Sequence, residues 1–383
     1  MRALVTGASG FIGRRVVERL VVEADAHVRA LVRTYGAGSP LARFPVELVR
    51  GDVLDGASLA EAVRRCDVVF HCATGTSWIL RERRSVEVEG THNLLEQAAR
   101  AGGVRVVQLS SLLVYGVTAD GEIDELAPRR RSGDLYADAK LEAEGLAQEY
   151  ARRVPVTILQ PTAVYGPWAG VYGTSILRAL RTSRVPLVDG GGGICNLVYV
   201  DDLVTAMLAA ASHDDAIGNT FLITGPEYVT WRTLYERFSQ MLSVTDRTVD
   251  LPLDAAIRNW RRSGWRRPGL FGETVRVFRE GQLRDRLYET REGAAAMRVA
   301  QAVLPPAVFH ARAAKAARRT AEPADRPETP IVLLRPFTAR FQSTRTMVRI
   351  DRARNLLGYE PVFGFERGME LTEQWARWAG LLD

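Results

Sequence analysis

Long apolar runs are missing from this chain of 383 residues. A membrane-spanning helix needs about 18 consecutive apolar residues. The best helical candidate, 16–22, is broken by Glu18 and Arg19. A secretory leader is not expected, because Met1-Arg2 runs straight into Ala3-Leu4-Val5-Thr6-Gly7, too short for an apolar core. Cysteine is scarce as well. Cys66, Cys72 and Cys195 are too few for a disulfide framework and lack metal-ligand spacing. No metal is therefore expected, and the thiols read as reduced ones in a cytoplasmic protein. Compositional extremes are also lacking: 46% hydrophobic and 25% charged residues exclude disordered and collagen-like classes. The length admits two domains, or one large α/β domain with additions.

The net charge of +6 is unevenly placed. Between Ala255 and Arg319 lie 15 basic and 5 acidic residues, which leaves the rest of the chain at −4. Trp260-Arg261-Arg262 and Trp265-Arg266-Arg267 set an indole beside guanidiniums, a combination suited to phosphate, anionic headgroups or an acidic partner. Contact with a membrane surface or an acidic partner through 252–320 is one expectation. A solvated helical appendage is the plain alternative, and nucleic-acid stacking on Trp260, Trp265 and Phe271 is the weaker reading.

The first half alternates apolar strands with helical segments. Strands are expected at 2–6, 27–33, 46–50, 67–71, 104–109 and 156–160. The helices between them are expected at 12–22, 59–64, 84–101 and 134–152. This alternation argues for βαβ units and a parallel sheet covered on both faces. Further strands are read at 197–200 and 220–224, with helices at 201–211, 231–242 and 365–379. The Arg- and Ala-rich stretch 252–346 interrupts this pattern as an insertion, ending at Pro323, Pro327, Pro330 and Pro336. The expected architecture is a doubly wound parallel sheet with a smaller mixed C-terminal domain and a helical Arg-rich insertion. The dinucleotide-binding part would take 1–165 plus 194–224, and the substrate part 166–193 plus 225–383.

Gly7, Gly10 and Gly13 fall between the first strand and the first helix. Glycines there let the backbone approach a pyrophosphate, and the free N–H groups of the helix start bind it. The second strand ends Val32-Arg33 with no acid. An acid at that point takes the ribose 2′-OH of NAD, whereas Arg accommodates a 2′-phosphate, so NADP is expected over NAD. Tyr136 and Lys140 stand at i and i+4 near a helix start, on one face. An ammonium beside a phenol favours phenolate and lowers its pKa toward a useful range. Ser110-Ser111 follow the fifth strand, at the sheet edge where open α/β sheets bind ligands.

With these motifs in this order, the chain resembles the extended short-chain dehydrogenase/reductase family, over about 1–250 and 347–383. Thr6 to Gly13 matches its T-G-x-x-G-x-x-G, including Phe11 and Ile12. Gly51 to Asp55 matches the segment whose first acid, here Asp52 with Val53 after it, contacts adenine. His71-Cys72-Ala73 matches the cofactor-side turn, which brings in Ala73. Ser110 to Gly116 matches the serine motif and implies Ser111 as the catalytic hydroxyl. Pro161 to Pro167 matches the loop after the sixth strand, implying Pro161 at the cofactor and Tyr165 beside the substrate. Val198 to Asp202, Leu357 to Pro361 and Trp375 match the remaining signatures. The resemblance implies that Tyr136 exchanges a proton with the substrate oxygen. It also implies that Lys140 tunes Tyr136 and holds the nicotinamide ribose, and that Ser111 hydrogen-bonds the same oxygen.

Three positions depart from the family pattern. Leu112-Leu113 stand where the dehydratases carry Asp-Glu, which argues against 4,6-dehydration. Glu87 replaces the Asn usual before Gly-Thr. Cys195 replaces the Arg that holds a phosphate in many nucleotide-sugar enzymes. The expected activity is hydride transfer between NAD(P) and a secondary alcohol or ketone carbon, first of a nucleotide-activated sugar. The alternatives are a ketone reductase like the 3β-hydroxysteroid dehydrogenases and dihydroflavonol reductases, and a non-catalytic NADP-binding sensor or scaffold. The expected partner is a small-molecule substrate, and the family leaves room for a homodimer.

Overall fold

A computed structural model describes residues 1–75, 80–263 and 329–382. Seven parallel strands form the main sheet: β1 (Arg2–Thr6), β2 (His27–Val32), β3 (Glu47–Arg50), β4 (Val68–His71), β5 (Arg105–Leu109), β6 (Val156–Pro161) and β7 (Thr220–Ile223). Their order is β7-β6-β5-β4-β1-β2-β3. The chain winds outward from β1 in both directions, so the order reverses between β1 and β4. Ligands bind at the carboxyl ends of the strands at such a reversal.

The strands are short apolar runs because both sheet faces are covered. One face carries α1 (Phe11–Val22), whose Val16, Val17 and Leu20 are buried with Leu203, Val204 and Met207 from the helix Val200–Ser212. The other carries α2 (Gly56–Val63), α3 (Gly90–Ala101) and α4 (Leu135–Tyr150), which bury Leu59, Leu94, Leu95 and Ala147. Element boundaries sit within a few residues of those expected, with one informative exception. The helix expected from 84 begins at Leu80 and passes through a π-helical turn, Ser85–Glu89, before α3. An extra residue in a helical turn is uncommon and concentrates at functional sites.

Two of the matched signatures, Val198 to Asp202 and Leu357 to Pro361, prove to be docking points. The Asp202 carboxylate accepts the backbone N–H groups of Val362 and Phe363 at 3.0 and 3.1 Å, and Tyr359 donates to the carbonyl of Thr224 at 2.9 Å. Leu357 to Pro361 is thereby tied to the main sheet's last strand.

By compactness, 1–257 with 330–383 form one unit and 258–329 a second. The stretch read as an insertion is thus shorter than 252–346. Thr346–Val348 pairs with Gly121–Ile123, and Ala339 is buried against Val188 and Ala256. Residues 264–328, where most of the basic excess and the expected membrane or acidic-partner contact fall, lie outside the described residues. Among the described residues no helix is long and apolar enough to cross a membrane.

Candidate active site

The glycine turn is built by close backbone approach. Gly7 has φ +63°, and a Cβ there would lie 2.6 Å from the carbonyl oxygen of Cys72. A Cβ on Gly13 would lie 2.3 Å from the carbonyl oxygen of Gly7. Only hydrogen fits at either position, so α1 starts directly against the end of β1. Its N-cap, Gly10, offers no side chain to the first-turn N–H groups. Those donors, from Phe11, Ile12 and Gly13, are open to an anion with the helix dipole behind them. A dinucleotide pyrophosphate fits this cradle.

His71, at the end of β4, ties the cradle to the helices. Its Nδ1 lies 2.7 Å from Thr6 Oγ1 and its Nε2 3.2 Å from Thr91 Oγ1. Thr91 donates to the carbonyl of Glu87, so it accepts from Nε2–H, and Thr6 donates to a bare Nδ1. Burial, reinforced by Lys140, holds the imidazole down at about 3, so it is neutral in this role. Thr6 in turn accepts from the Ala73 N–H at 3.3 Å. Asp52 and Val53 sit just beyond β3. Asp52 Oδ1 accepts from Leu54 N–H at 3.0 Å, and Val53 packs where α3 begins, so closely that a Cβ on Gly90 would meet Val53 Cγ2 at 2.7 Å. Arg33 follows β2 and is exposed. Arg14, in the first turn of α1, stacks its guanidinium 4.5 Å from the Trp168 ring centroid, and burial and the charge of Arg43 lower its pKa. Pro161 ends β6 on the same edge of the sheet.

The residues expected to handle the proton, Ser111, Tyr136 and Lys140, come together at the end of β5 and the start of α4. Asp134 caps α4, accepting from the N–H groups of Tyr136 and Ala137 at 3.0 and 3.1 Å. This fixes the first turn, from which Tyr136 and Lys140 project together. The Lys140 ammonium, 4% exposed, lies 5.9 Å from the Tyr136 ring centroid and donates to the Leu109 carbonyl at 3.1 Å. Ser111 lies near enough to the phenol to favour its ionised form, and its Oγ accepts from Leu113 N–H at 3.2 Å. One turn beyond Lys140, buried Glu144 takes hydrogen bonds from Ser110 Oγ at 2.5 Å and Gln160 Nε2 at 2.9 Å and pairs with Arg129. That cluster locks α4 to β5 and β6, and so sets Ser111 against Tyr136.

Two expectations need correction. Lys140 does pull the Tyr136 pKa down, but burial outweighs it and the Glu87 carboxylate opposes it, so the net direction is upward. Tyr165 does not face an open cleft: it is 2% exposed, donates to the Phe365 carbonyl at 3.4 Å, and leaves no room for a Cβ on Gly368. It docks the last helix. Tyr172 lies in the neighbourhood of Cys195, Tyr235 and Tyr136, and burial pushes its phenol up. Tyr172 packs on Trp231 with ring centroids 6.2 Å apart, and Trp231 on Tyr235 at 6.1 Å. Cys195, 1% exposed, is a neutral thiol within this aromatic group. Sequence reasoning missed Tyr172, Glu144 and Arg14. A Tyr five residues after a Gly-Pro turn and a Glu one turn past Lys140 carry no distinctive spacing.

Glu87 departs from the family pattern in sequence. In the structure its carboxylate, 2% exposed, stands 2.9 Å from Lys140 Nζ.

The sequence pattern described as the NAD dependent epimerase/dehydratase family matches residues 3–224, more than half of the chain. A Synechocystis sp. protein named as a candidate dihydroflavonol 4-reductase is 33% identical over 235 residues, 59% of this chain and 66% of that protein. The 4-hydroxy-2-methyl-3-oxo-4-farnesyl-3,4-dihydroquinoline-1-oxide ketoreductase of Stigmatella aurantiaca is 28% identical over 264 residues, 67% of this chain and 78% of its own. Among solved structures, the UDP-glucuronic acid 4-epimerase of Bacillus cereus, in complex with UDP-glucuronic acid and NAD, shares the fold with a TM-score of 0.67. The identity is 19%, over 99% of this chain and 100% of that one.

Proposed function

The chain belongs to the NAD dependent epimerase/dehydratase family, and from this we propose that it catalyses NADP-dependent hydride transfer at a secondary alcohol or ketone carbon of an apolar substrate. The observation that carries the reaction is the convergence of Ser111, Tyr136 and Lys140 at the carboxyl edge of β5. When bound, the nicotinamide supplies or takes up the hydride. Tyr136 holds the proton that the substrate oxygen gains or loses. Ser111, with one lone pair taken by Leu113 N–H, keeps its O–H free to donate to that oxygen as charge shifts onto it. Lys140 holds a positive charge beside the phenol and has one donor left for a ribose hydroxyl.

The apolar substrate class rests on Cys195 and its aromatic neighbours. A nucleotide-activated sugar brings two phosphates, and the position read as their Arg is a buried neutral thiol. The Stigmatella relative's named substrate carries a farnesyl chain, consistent with this reading. The nucleotide-sugar reading is favoured by the intact Leu357 to Pro361 signature. Dehydration lacks the acid pair read from the family pattern, since Leu112 and Leu113 follow Ser111 in its place.

For the cofactor, Arg33 with no acid at the end of β2 favours NADP(H). The test is a panel of apolar ketones and UDP-, GDP- and dTDP-sugars with NADPH and NADH. We expect turnover of apolar ketones, with NADPH preferred by about tenfold or more. Arg33→Ala should erase that preference through weaker NADPH binding, a loss of about 1.5–3 kcal/mol for a hydrogen bond to a charged group. Equal use of NADH by the wild type contradicts the cofactor assignment. Turnover of the sugars alone selects the second reading. Cofactor binding with no turnover at all leaves a sensor or scaffold.

A further inference from the structure

We propose that Glu87 is a positioning residue that pins Lys140 and neutralises it electrostatically, keeping Tyr136 as the protonated phenol and setting the site for carbonyl reduction. The proposal rests on the hydride-transfer reading above and goes beyond it by assigning a role to a residue the family pattern does not supply.

The geometry is specific. Glu87 lies in the π-helical turn Ser85–Glu89. Its Oε2 meets Lys140 Nζ at 2.9 Å, while Oε1 accepts from Gly75 N–H at 3.0 Å and from the Thr74 hydroxyl. Lys140 is thus held between two acceptors, the Glu87 carboxylate and the Leu109 carbonyl. A buried ion pair of this kind is retained only if both charges are satisfied, and here each carboxylate oxygen has a donor.

An unpaired ammonium beside a phenol would favour phenolate. With Glu87 present the pair is close to neutral as a unit. The other titratable or charged groups that face Tyr136 are Arg83, whose guanidinium lies 5.9 Å from the ring centroid, and Tyr172. Facing Lys140 from the end of β4 are His71 and Cys72, both neutral: burial holds the imidazole at about 3 and pushes the thiol up to about 12. Glu87 is therefore the sole anion among the groups named here, and it opposes both cations. A protonated phenol is the form that gives a proton to a carbonyl oxygen. A phenolate is the form that takes one from an alcohol.

The test titrates Tyr136 directly. Tyrosinate absorbance is followed against pH for the full chain and for Tyr136→Phe, and their difference isolates the one phenol. The same pair is then measured in a Glu87→Gln background, which keeps size and the acceptor for Gly75. The wild-type phenol is expected to titrate above the ordinary tyrosine range. Glu87→Gln should lower it by at least about one pH unit, the scale of one nearby charge. With a substrate in hand, the alkaline limb of the reduction profile should move down by the same amount, and alcohol oxidation at neutral pH should gain relative to reduction. The absorbance titration needs no substrate, so its outcome stands apart from whether hydride transfer is found. A wild-type phenol at or below the ordinary range overturns the proposal even if the variant fails to fold. An unchanged titration in a folded Glu87→Gln protein, or equal losses in both directions with an unmoved pH profile, also overturns it and leaves Glu87 as a packing residue.

Discussion

Tyr136→Phe is expected to lower kcat by about 10²–10⁴-fold, the range for removing a positioned acid or base, while NADPH affinity stays within a few-fold. The change deletes one oxygen. The ring keeps its place above α4's first turn, Asp134 still caps that turn, and Lys140 keeps both Glu87 and the Leu109 carbonyl. What disappears is the group able to exchange a proton with the substrate oxygen at the point where Ser111 also bonds it. Steady-state rates with cofactor titrations on the same preparations check this. Wild-type kcat in the Phe variant removes Tyr136 from the reaction.

Gly13→Ala is expected to be the most damaging single methyl in the chain's first turn. Its Cβ would stand 2.3 Å from the Gly7 carbonyl oxygen and 2.8 Å from the Gly7 carbonyl carbon. Both are backbone atoms, so no side chain can swing aside, and the first turn of α1 must move away from β1. Retracting one or two N–H donors from a phosphate loses about 1.5–3 kcal/mol each, or roughly 10- to 10⁴-fold in Kd. Overpacking adds about 1–3 kcal/mol of destabilisation. Gly145→Ala is the matched comparison. It lies within α4 with open space around the new methyl, and it should raise stability by about 0.5–1 kcal/mol. Thermal unfolding and cofactor titration of both variants decide. A Gly13→Ala protein with wild-type melting and affinity contradicts the close-approach account of the cradle.

Much of the fold was legible because it follows from local rules. Apolar runs bounded by polar turns located the strands of the main sheet. The helix expected over 134–152 was placed to within two residues, and the structure adds that Asp134 caps it. The order of Gly7, Ser111, Tyr136 and Lys140 along the chain was enough to place them at one sheet edge, because a parallel sheet brings every strand's carboxyl end to the same side. Burial and long-range pairing were not legible. Nothing in Ser85-Val86-Glu87-Val88-Glu89 marks a π-turn, and no spacing rule joins Glu87 to Lys140. The pull of Lys140 on Tyr136 was evident from their separation, but its reversal depends on how deeply the phenol is packed. Tyr165 sits in a motif shared with the cofactor loop, yet its hydroxyl is committed to Phe365. Residues 330–346 were counted within the insertion expected over 252–346. They dock because Asn196 holds both the Thr346 carbonyl, at 2.8 Å, and the Val348 N–H, at 3.3 Å, a contact visible only in three dimensions.

The most direct measurement is the fate of a deuterium placed at C4 of the reduced cofactor. The full chain is incubated with C4-deuterated NADPH and the best apolar ketone of the panel, and the product is examined by mass spectrometry and NMR. The account predicts one deuterium on the new carbinol carbon, with NADP formed in equal amount and both signals lost in Tyr136→Phe. Alcohol product without deuterium at that carbon, or a substrate altered while the labelled NADPH remains unconsumed and unexchanged, would contradict it.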